Sequence, residues 1–300
     1  MKKLRVIHKI NTMWISSVDN DIIIVIIELN LRIKYKKEGI PVDNFLNFQK
    51  NELRYEEKLV KNTILRGKSS MKYEKRIFEA IFLERPNRFN ARVLLNDEEI
   101  TVHVANTGRC REILVEGCKV YLREELNPTR KTKYDLVAAL KGEKLISIDS
   151  QIPNKVVEEA LKMGKIEKLK KYKNILREKT FGNSRFDFKL STDEDEIYYL
   201  EVKGVTLEEN EHSMFPDAPT ERGTKHLMEL IEAKKQGYGA GAIFLIQLEQ
   251  VNKFSPQDEK DPKFGAALRL AKENGVDIFA YNCIVQEDGL RINEPVEIIL

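Results

Sequence analysis

Three hundred residues suffice for about two domains, and 51 lysines and arginines against 48 aspartates and glutamates, a formal net charge of +3, say little alone about a partner. Three cysteines, Cys110, Cys118 and Cys283, are odd in number and lack paired metal-ligand spacing, which argues against a disulfide framework or a zinc site and for a reducing cytoplasm. The apolar run 22–27 is far shorter than the roughly 20 residues that span a bilayer, and no small-residue cleavage pattern follows it, so neither membrane insertion nor secretion is expected.

Residues 1–70 stand apart, with 14 basic against 8 acidic side chains and many Ile, Asn and Lys. The run at 22–27 reads as a buried strand, and the apolar spacing of Phe45, Phe48, Leu53, Leu59 and Ile64 predicts a marginal helix over 45–65. The segment is a lineage-specific extension or upstream sequence from a wrong start, the second being the expectation, and it packs weakly on the rest.

From 71 to 150 the period is two. Strands are predicted at 76–84, 89–95, 99–105, 119–126 and 134–140, with turn chemistry at Asn96-Asp97, Gly117 and Gly142, and that number of short strands indicates a small β-barrel. Arg109 and Arg111 flank one turn, and Arg130, Lys131 and Lys133 form a second basic group. Such barrels bind single strands in a basic groove with stacking aromatics. Phe89, Tyr121 and Tyr134 are candidates for that role, and core packing is the plainer reading for each.

Residues 151–180 read as two helices split at Gly164, with Asn154 as the first cap. Lysines 165, 168, 170, 171 and 173 form one basic display, either a phosphate track or a solvated face. Two strands follow, at 185–190 and 197–203, joined by a polar connection that makes them a hairpin. After them Thr220 caps a helix near 221–236, 240–248 is a buried strand, and a helix around 263–273 precedes a strand at 276–281.

The hairpin carries the chemistry. Glu201 and Lys203 are two residues apart and share a strand face. With Asp187 opposite, that face holds two acids and one amine, a set able to hold a divalent cation against a phosphodiester while the lysine orients water or offsets charge. The plainer reading is a solvated or cross-strand-paired face. Residues 181–221 contain 11 acids and 3 bases, a poor surface for DNA unless a cation neutralises its middle.

The stretches EVKGVTL (201–207) and MFPDAPTERGTKHLMEL (214–230), with RFNARV (88–93), HVANTGR (103–109), KTKYDLV (131–137), PN (153–154), GNSRFDF (182–188) and later FSPQ, DP and VDIFAY pieces, resemble the sugar fermentation stimulation protein A family over about 230 residues. The resemblance implies an α/β (α+β) chain: a small OB-like β-barrel at 71–150, then a PD-(D/E)xK nuclease-like α/β domain with a mixed central sheet at 151–300. It also implies DNA binding. The nuclease pattern falls on Asp187, Glu201 and Lys203, with Phe186 where the signature's name has Pro. Asp187 and Glu201 would hold Mg²⁺ or Mn²⁺. Glu178, at the end of the preceding helix, is a further ligand or base, or else a surface ion pair.

The DNA-contacting set is Arg109, Arg130, Lys131, Lys133, Arg185, Arg222 and Lys225, the last two at a helix N-terminus where backbone N–H groups also favour phosphate. The loop before that helix reads as a lid, and His226 as a proton shuttle or a structural hydrogen-bonding group. Three functions follow: a metal-dependent phosphodiesterase acting on DNA, a non-catalytic DNA-binding regulator of sugar-use genes, and an interaction module on a nuclease shell. No helix-turn-helix reader is evident. Cutting both strands of a duplex would need a homodimer.

Overall fold

The structure, a computed structural model, describes residues 71–300 apart from Thr107, all within the unit Ser70–Leu300. The strand at 22–27 and the helix over 45–65 lie outside the described residues.

A short β1 (Met71–Lys72) joins the larger of the sheets, beside β16 (Gly289–Pro295). The barrel follows. β2 (Ile77–Glu84), β3 (Asn90–Leu95), β4 (Glu98–Val104), β5 (Lys119–Glu124) and β6 (Tyr134–Lys141) close into a ring when β4 pairs in parallel with β6. Alternation drives this: Ala91, Val93 and Leu95 are buried, while Arg92 between them faces Glu84 and Glu99 in solvent. Asn96 and Asp97 take positive φ in the β3–β4 turn, as a tight hairpin requires. An unpredicted β7 (Lys144–Ser147) extends the ring from β6.

The second layer system is a mixed seven-stranded sheet in the order β1, β16, β15 (Asp277–Gln286), β13 (Gly239–Ile246), β10 (Ile197–Val205), β9 (Ser184–Ser191), β8 (Asn174–Phe181). β10, β13 and β15 run parallel at its centre. Helix α1 (Ile152–Lys162) packs Ile152, Val156 and Leu161 with Leu200, Val202 and Ile243 in one apolar cluster. Helices α2 (Glu221–Lys235) and α3 (Pro262–Glu273) bury Leu230, Phe264 and Leu268 with Phe244 in the other. A four-stranded sheet of β11 (Glu208–Glu209), β12 (His212–Phe215), β14 (Lys253–Pro256) and β17 (Glu297–Ile298) stands beside them, unforeseen from the sequence. Gln247 donates to the carbonyls of Ser147 and Asp149 at 3.0 and 3.1 Å, and Lys144 pairs with Glu208 at 2.7 Å, so barrel and sheet are bonded together.

Residues 151–181 correct the reading of two helices. α1 is capped at Gln151, which puts Asn154 inside its first turn. Gly164, with φ of 63°, ends it, one 3-10 turn follows at Glu167–Leu169, and 174–181 is strand β8. β8 is an edge strand with most side chains in solvent, so it lacks an apolar face of period two, and the spacing of Ile166, Leu169 and Tyr172 mimics a helix. The lysines form no basic helix: Lys168, Lys170 and Lys171 pair with Asp277, Glu167 and Glu196.

Candidate active site

The ladder between β9 and β10 runs from Ile197↔Ser191 to Leu200↔Phe188 and stops there. One step further the count sets Asp187 against Glu201, but the strands splay. Val202 N–H donates to Asp187 Oδ2 at 2.7 Å, and Asn154 Nδ2, from α1, donates to Oδ1 at 2.7 Å. β8 is irregular at the same level, where Glu178 takes φ of 54° between the pairs Arg177↔Phe188 and Lys179↔Phe186. Such breaks in pairing re-aim a side chain. Here they place the Asp187 carboxylate in the gap between strands, beside the C-terminal half of β10.

Glu201 is buried, at 4% exposure. Its Oε1 accepts from Lys203 Nζ at 2.7 Å and lies 2.5 Å from His226 Nδ1. Arg222 Nε donates to His226 Nε2 at 3.5 Å, which fits the tautomer carrying its hydrogen on Nδ1. Glu201 Oε2 is buried with no hydrogen-bond partner. Burial pushes the Asp187 carboxyl up to about 6, the charge of Glu201 adds to that, and the Val202 N–H, Asn154 and Lys203 oppose it. Burial would also raise Glu201, but the His226 hydrogen bond and the Lys203 charge outweigh it and hold this acid below its ordinary range. One acid of the pair is thus a fixed anion, and the other resists ionising next to it.

The oxygen-only donor set fits a hard divalent cation, and the orphaned Glu201 Oε2 is the atom a cation would satisfy. No cluster of three or more His, Cys, Asp or Glu with metal-holding geometry occurs among the described residues, so water or substrate oxygens would complete any shell. Gly204 closes the site on the other face, since a Cβ there would stand 2.5 Å from Gln247 Oε1 and 2.8 Å from Pro153 Cγ.

The structure thus gathers Asp187, Glu201 and Lys203. Glu178 lies on β8 rather than at a helix end, and its exposed carboxylate pairs with Arg185 at 2.8 Å, which commits both residues to each other. Arg130 is held by Asp135 at 2.6 Å and Glu125 at 3.0 Å in an ion network of the barrel. Lys131, Lys133, Arg109, Arg222 and Lys225 are exposed, with Lys225 Nζ donating to the Asn183 carbonyl at 2.8 Å. Tyr121 is buried and Tyr134 packs edge-on against Phe78, whereas Phe89 is 48% exposed under the Arg88 guanidinium.

Three partners escaped sequence reasoning. Asn154 carried only a capping signal, and His226 only that of a lone histidine. Arg85 donates to the carbonyls of Asn106, Gly108, Arg109 and Arg88 at 2.7–2.8 Å, stapling the loop before Arg109, with no local pattern to announce it.

Residues 83–148 match the SfsA N-terminal OB domain, and residues 151–289 match the Sugar fermentation stimulation protein RE domain. A sugar fermentation stimulation protein homolog of Clostridium perfringens is 70% identical over 230 residues, 77% of this chain and 100% of the relative. This chain belongs to the sugar fermentation stimulation protein family. A family member from Clostridium botulinum is 63% identical over 228 residues, 76% of this chain and 99% of that one. The solved structure of Pyrococcus furiosus SfsA in complex with Ca²⁺ matches at TM-score 0.70 and 29% identity, covering 77% of this chain and 100% of that one. The family's two regions fall on the closed barrel and on the α1-to-β15 layers, so the OB-like barrel followed by a mixed α/β sheet is the fold.

Proposed function

We propose that this protein binds DNA and hydrolyses its phosphodiester backbone at Asp187, Glu201 and Lys203 with a divalent cation, Mg²⁺ or Mn²⁺. The observation that carries this is the buried, unpartnered Glu201 Oε2 beside a second carboxylate whose ionisation it opposes. Burying a carboxylate oxygen unpaired is costly, and a cation removes that cost for both acids together. The Ca²⁺ complex of the Pyrococcus furiosus relative supports a hard cation in this family.

A bound cation would polarise the phosphoryl oxygen and lower the pKa of an attacking water. The chain's own residues do the rest. Asp187 and Glu201 would supply the ligand oxygens, Asn154 and the Val202 N–H aim Asp187, and His226 aims Glu201. Lys203 keeps its ammonium at the acid pair, where charge gathers on a phosphoryl group under attack. The exposed Arg109, Lys131, Lys133, Arg222 and Lys225 give sequence-independent phosphate contacts. Three free cysteines, two of them buried, fit the reducing cytoplasm. No helix among the described residues is long and apolar enough to cross a membrane. Breaking both strands of a duplex would take two such sites, supplied by a homodimer.

The test is cleavage of labelled single-stranded, nicked and branched DNA in Mg²⁺ or Mn²⁺. Asp187→Ala and Glu201→Ala are expected to abolish cleavage and to keep DNA binding. A parent protein that cuts none of these substrates leaves the non-catalytic DNA-binding regulator in its place.

A further inference from the structure

Three hollows join into one groove on the side of the molecule where β10 ends. The first, about 330 Å³, reaches Gly204, on the face of β10 opposite Glu201 and Lys203, and lies between Asn106 and Gly108 of the barrel and residues 214–220 ahead of α2. It shares Leu207 and 217–219 with the second, about 340 Å³, which Arg109, Arg111 and Lys260 line. The third, about 420 Å³, continues past Arg109 and Arg111 to Arg88. The path begins at the C-terminal end of parallel strands, where open α/β sheets place their ligands.

The groove is built for a chain of phosphates and bases. Arg88, Arg109, Arg111 and Lys260 line it with no ion-pair partner among the described residues, and they outnumber Glu112 and Asp217, the two carboxylates that share the second hollow with them. Phe89 stands beside its outer end, 48% exposed with Arg88 over its ring at 5.0 Å. Unpaired cations with an exposed aromatic make the sequence-tolerant mode of single-strand binding. Arg85, bonded to four carbonyls of the loop wall, fixes the barrel side. The innermost hollow is narrow: a Cβ on Gly108 would lie 2.9 Å from both Asn106 Oδ1 and Asp217 Oδ2.

We infer that the groove is a track for one unpaired DNA strand, running from Phe89 and Arg88 past Arg109, Arg111 and Lys260 to the end of β10. The substrate class is therefore DNA with a single-stranded end or flap. This rests on the phosphodiesterase reading only for what happens at its inner end.

Fluorescence anisotropy of the full chain in EDTA with a labelled 20-mer of thymidine, and with a blunt 20-base-pair duplex, separates the two claims. The single strand is expected to bind more tightly than the blunt duplex. Arg109→Ala/Arg111→Ala is expected to weaken single-strand binding roughly tenfold and to flatten the plot of log affinity against log salt by about 0.7 for each lost contact. Phe89→Ala is expected to weaken it about fivefold or more. Lys235→Ala/Lys272→Ala removes the same charge from the C-terminal ends of α2 and α3 and is expected to leave binding within twofold. Single-strand affinity unchanged in the arginine variant, or a blunt duplex bound as tightly as the strand, overturns the track. Strand binding in EDTA is read apart from cleavage, so a failure of cleavage alone strikes the catalytic reading and leaves the track standing.

Discussion

Asparagine at position 187 would stabilise the protein, and by an amount that depends on pH. The Asp187 carboxyl moves from 3.8 in the unfolded chain to about 6 in the fold, because of burial first and the Glu201 charge second. At about 1.4 kcal/mol per pH unit, ionising this group costs the folded state about 3 kcal/mol. The folded chain holds the proton more tightly than the unfolded one, so stability falls as pH rises from about 4 to about 6, and the full cost is present above that window. Asp187→Asn removes the charge and keeps the shape. Its carbonyl still accepts from Val202 N–H, and its NH₂ can donate to Asn154 once that amide turns over. Allowing about 1 kcal/mol for a less favourable hydrogen bond, the expected gain is about 2 kcal/mol at pH 8. That is about 4–8 °C in Tm for a domain of this size, shrinking to near zero at pH 4. Urea unfolding in EDTA at the two pH values measures it. Saturating divalent cation is expected to stabilise the parent by about 2.7 kcal/mol at a hundred times its Kd, and the variant far less. An Asp187→Asn protein less stable than its parent at pH 8, or one whose difference is the same at both pH values, refutes the like-charge argument.

Two further outcomes concern the barrel. Arg85→Ala strips four carbonyls of their charged donor and is expected to cost about 2–4 kcal/mol in urea unfolding, with Arg85→Lys recovering less than half because a point charge cannot fork across the loop; equal stability in the three proteins would dissolve the staple. Burial opposes ionisation of Asp135, but hydrogen bonds from Arg130, Arg123 and His103 outweigh it and pull the carboxyl down to about 2. Its stabilisation is present above about pH 4 and is lost as pH falls through 2, so Asp135→Asn is expected to cost about 1.5 kcal/mol more at pH 7 than at pH 2.5; acid-unfolding curves that differ by a constant offset would contradict that.

Much of this architecture was legible because burial writes a periodic signal. The first three barrel strands, β2 to β4, alternate, β13 is continuously apolar, and the Thr220 side chain caps α2 by accepting from the Gly223 N–H at 3.0 Å. The elements that escaped are those with little buried surface or with partners distant in sequence. β8 is solvated, the four-stranded sheet is made of pieces of two to four residues, and β16 finds β15 through a tight turn at 287–288 that resembles any surface loop. The site divides the same way. The spacing of Glu201 and Lys203 is local and therefore readable, as is the hairpin that brings Asp187 opposite. The aim of each carboxylate is set by Asn154, 33 residues from Asp187, and by His226, 25 residues from Glu201, contacts that no short pattern encodes.

The energetics of the acid pair bear on whether the site is in use. A retired nuclease shell would gain from exchanging Asp187 for its amide, since about 3 kcal/mol stands against the fold there, whereas the Glu201 charge is held in place by its partners. Asp187 does not repay that by bridging other elements in a way an amide could not, since its oxygens accept from one backbone N–H and one asparagine. Lys203 and His226 steady the Glu201 charge through one oxygen and leave the other bare. A surface that served only to bind DNA would have no need of buried anions, which repel phosphate. The destabilisation is concentrated where a cation and a phosphoryl oxygen would relieve it, the expected mark of a site held ready for a ligand.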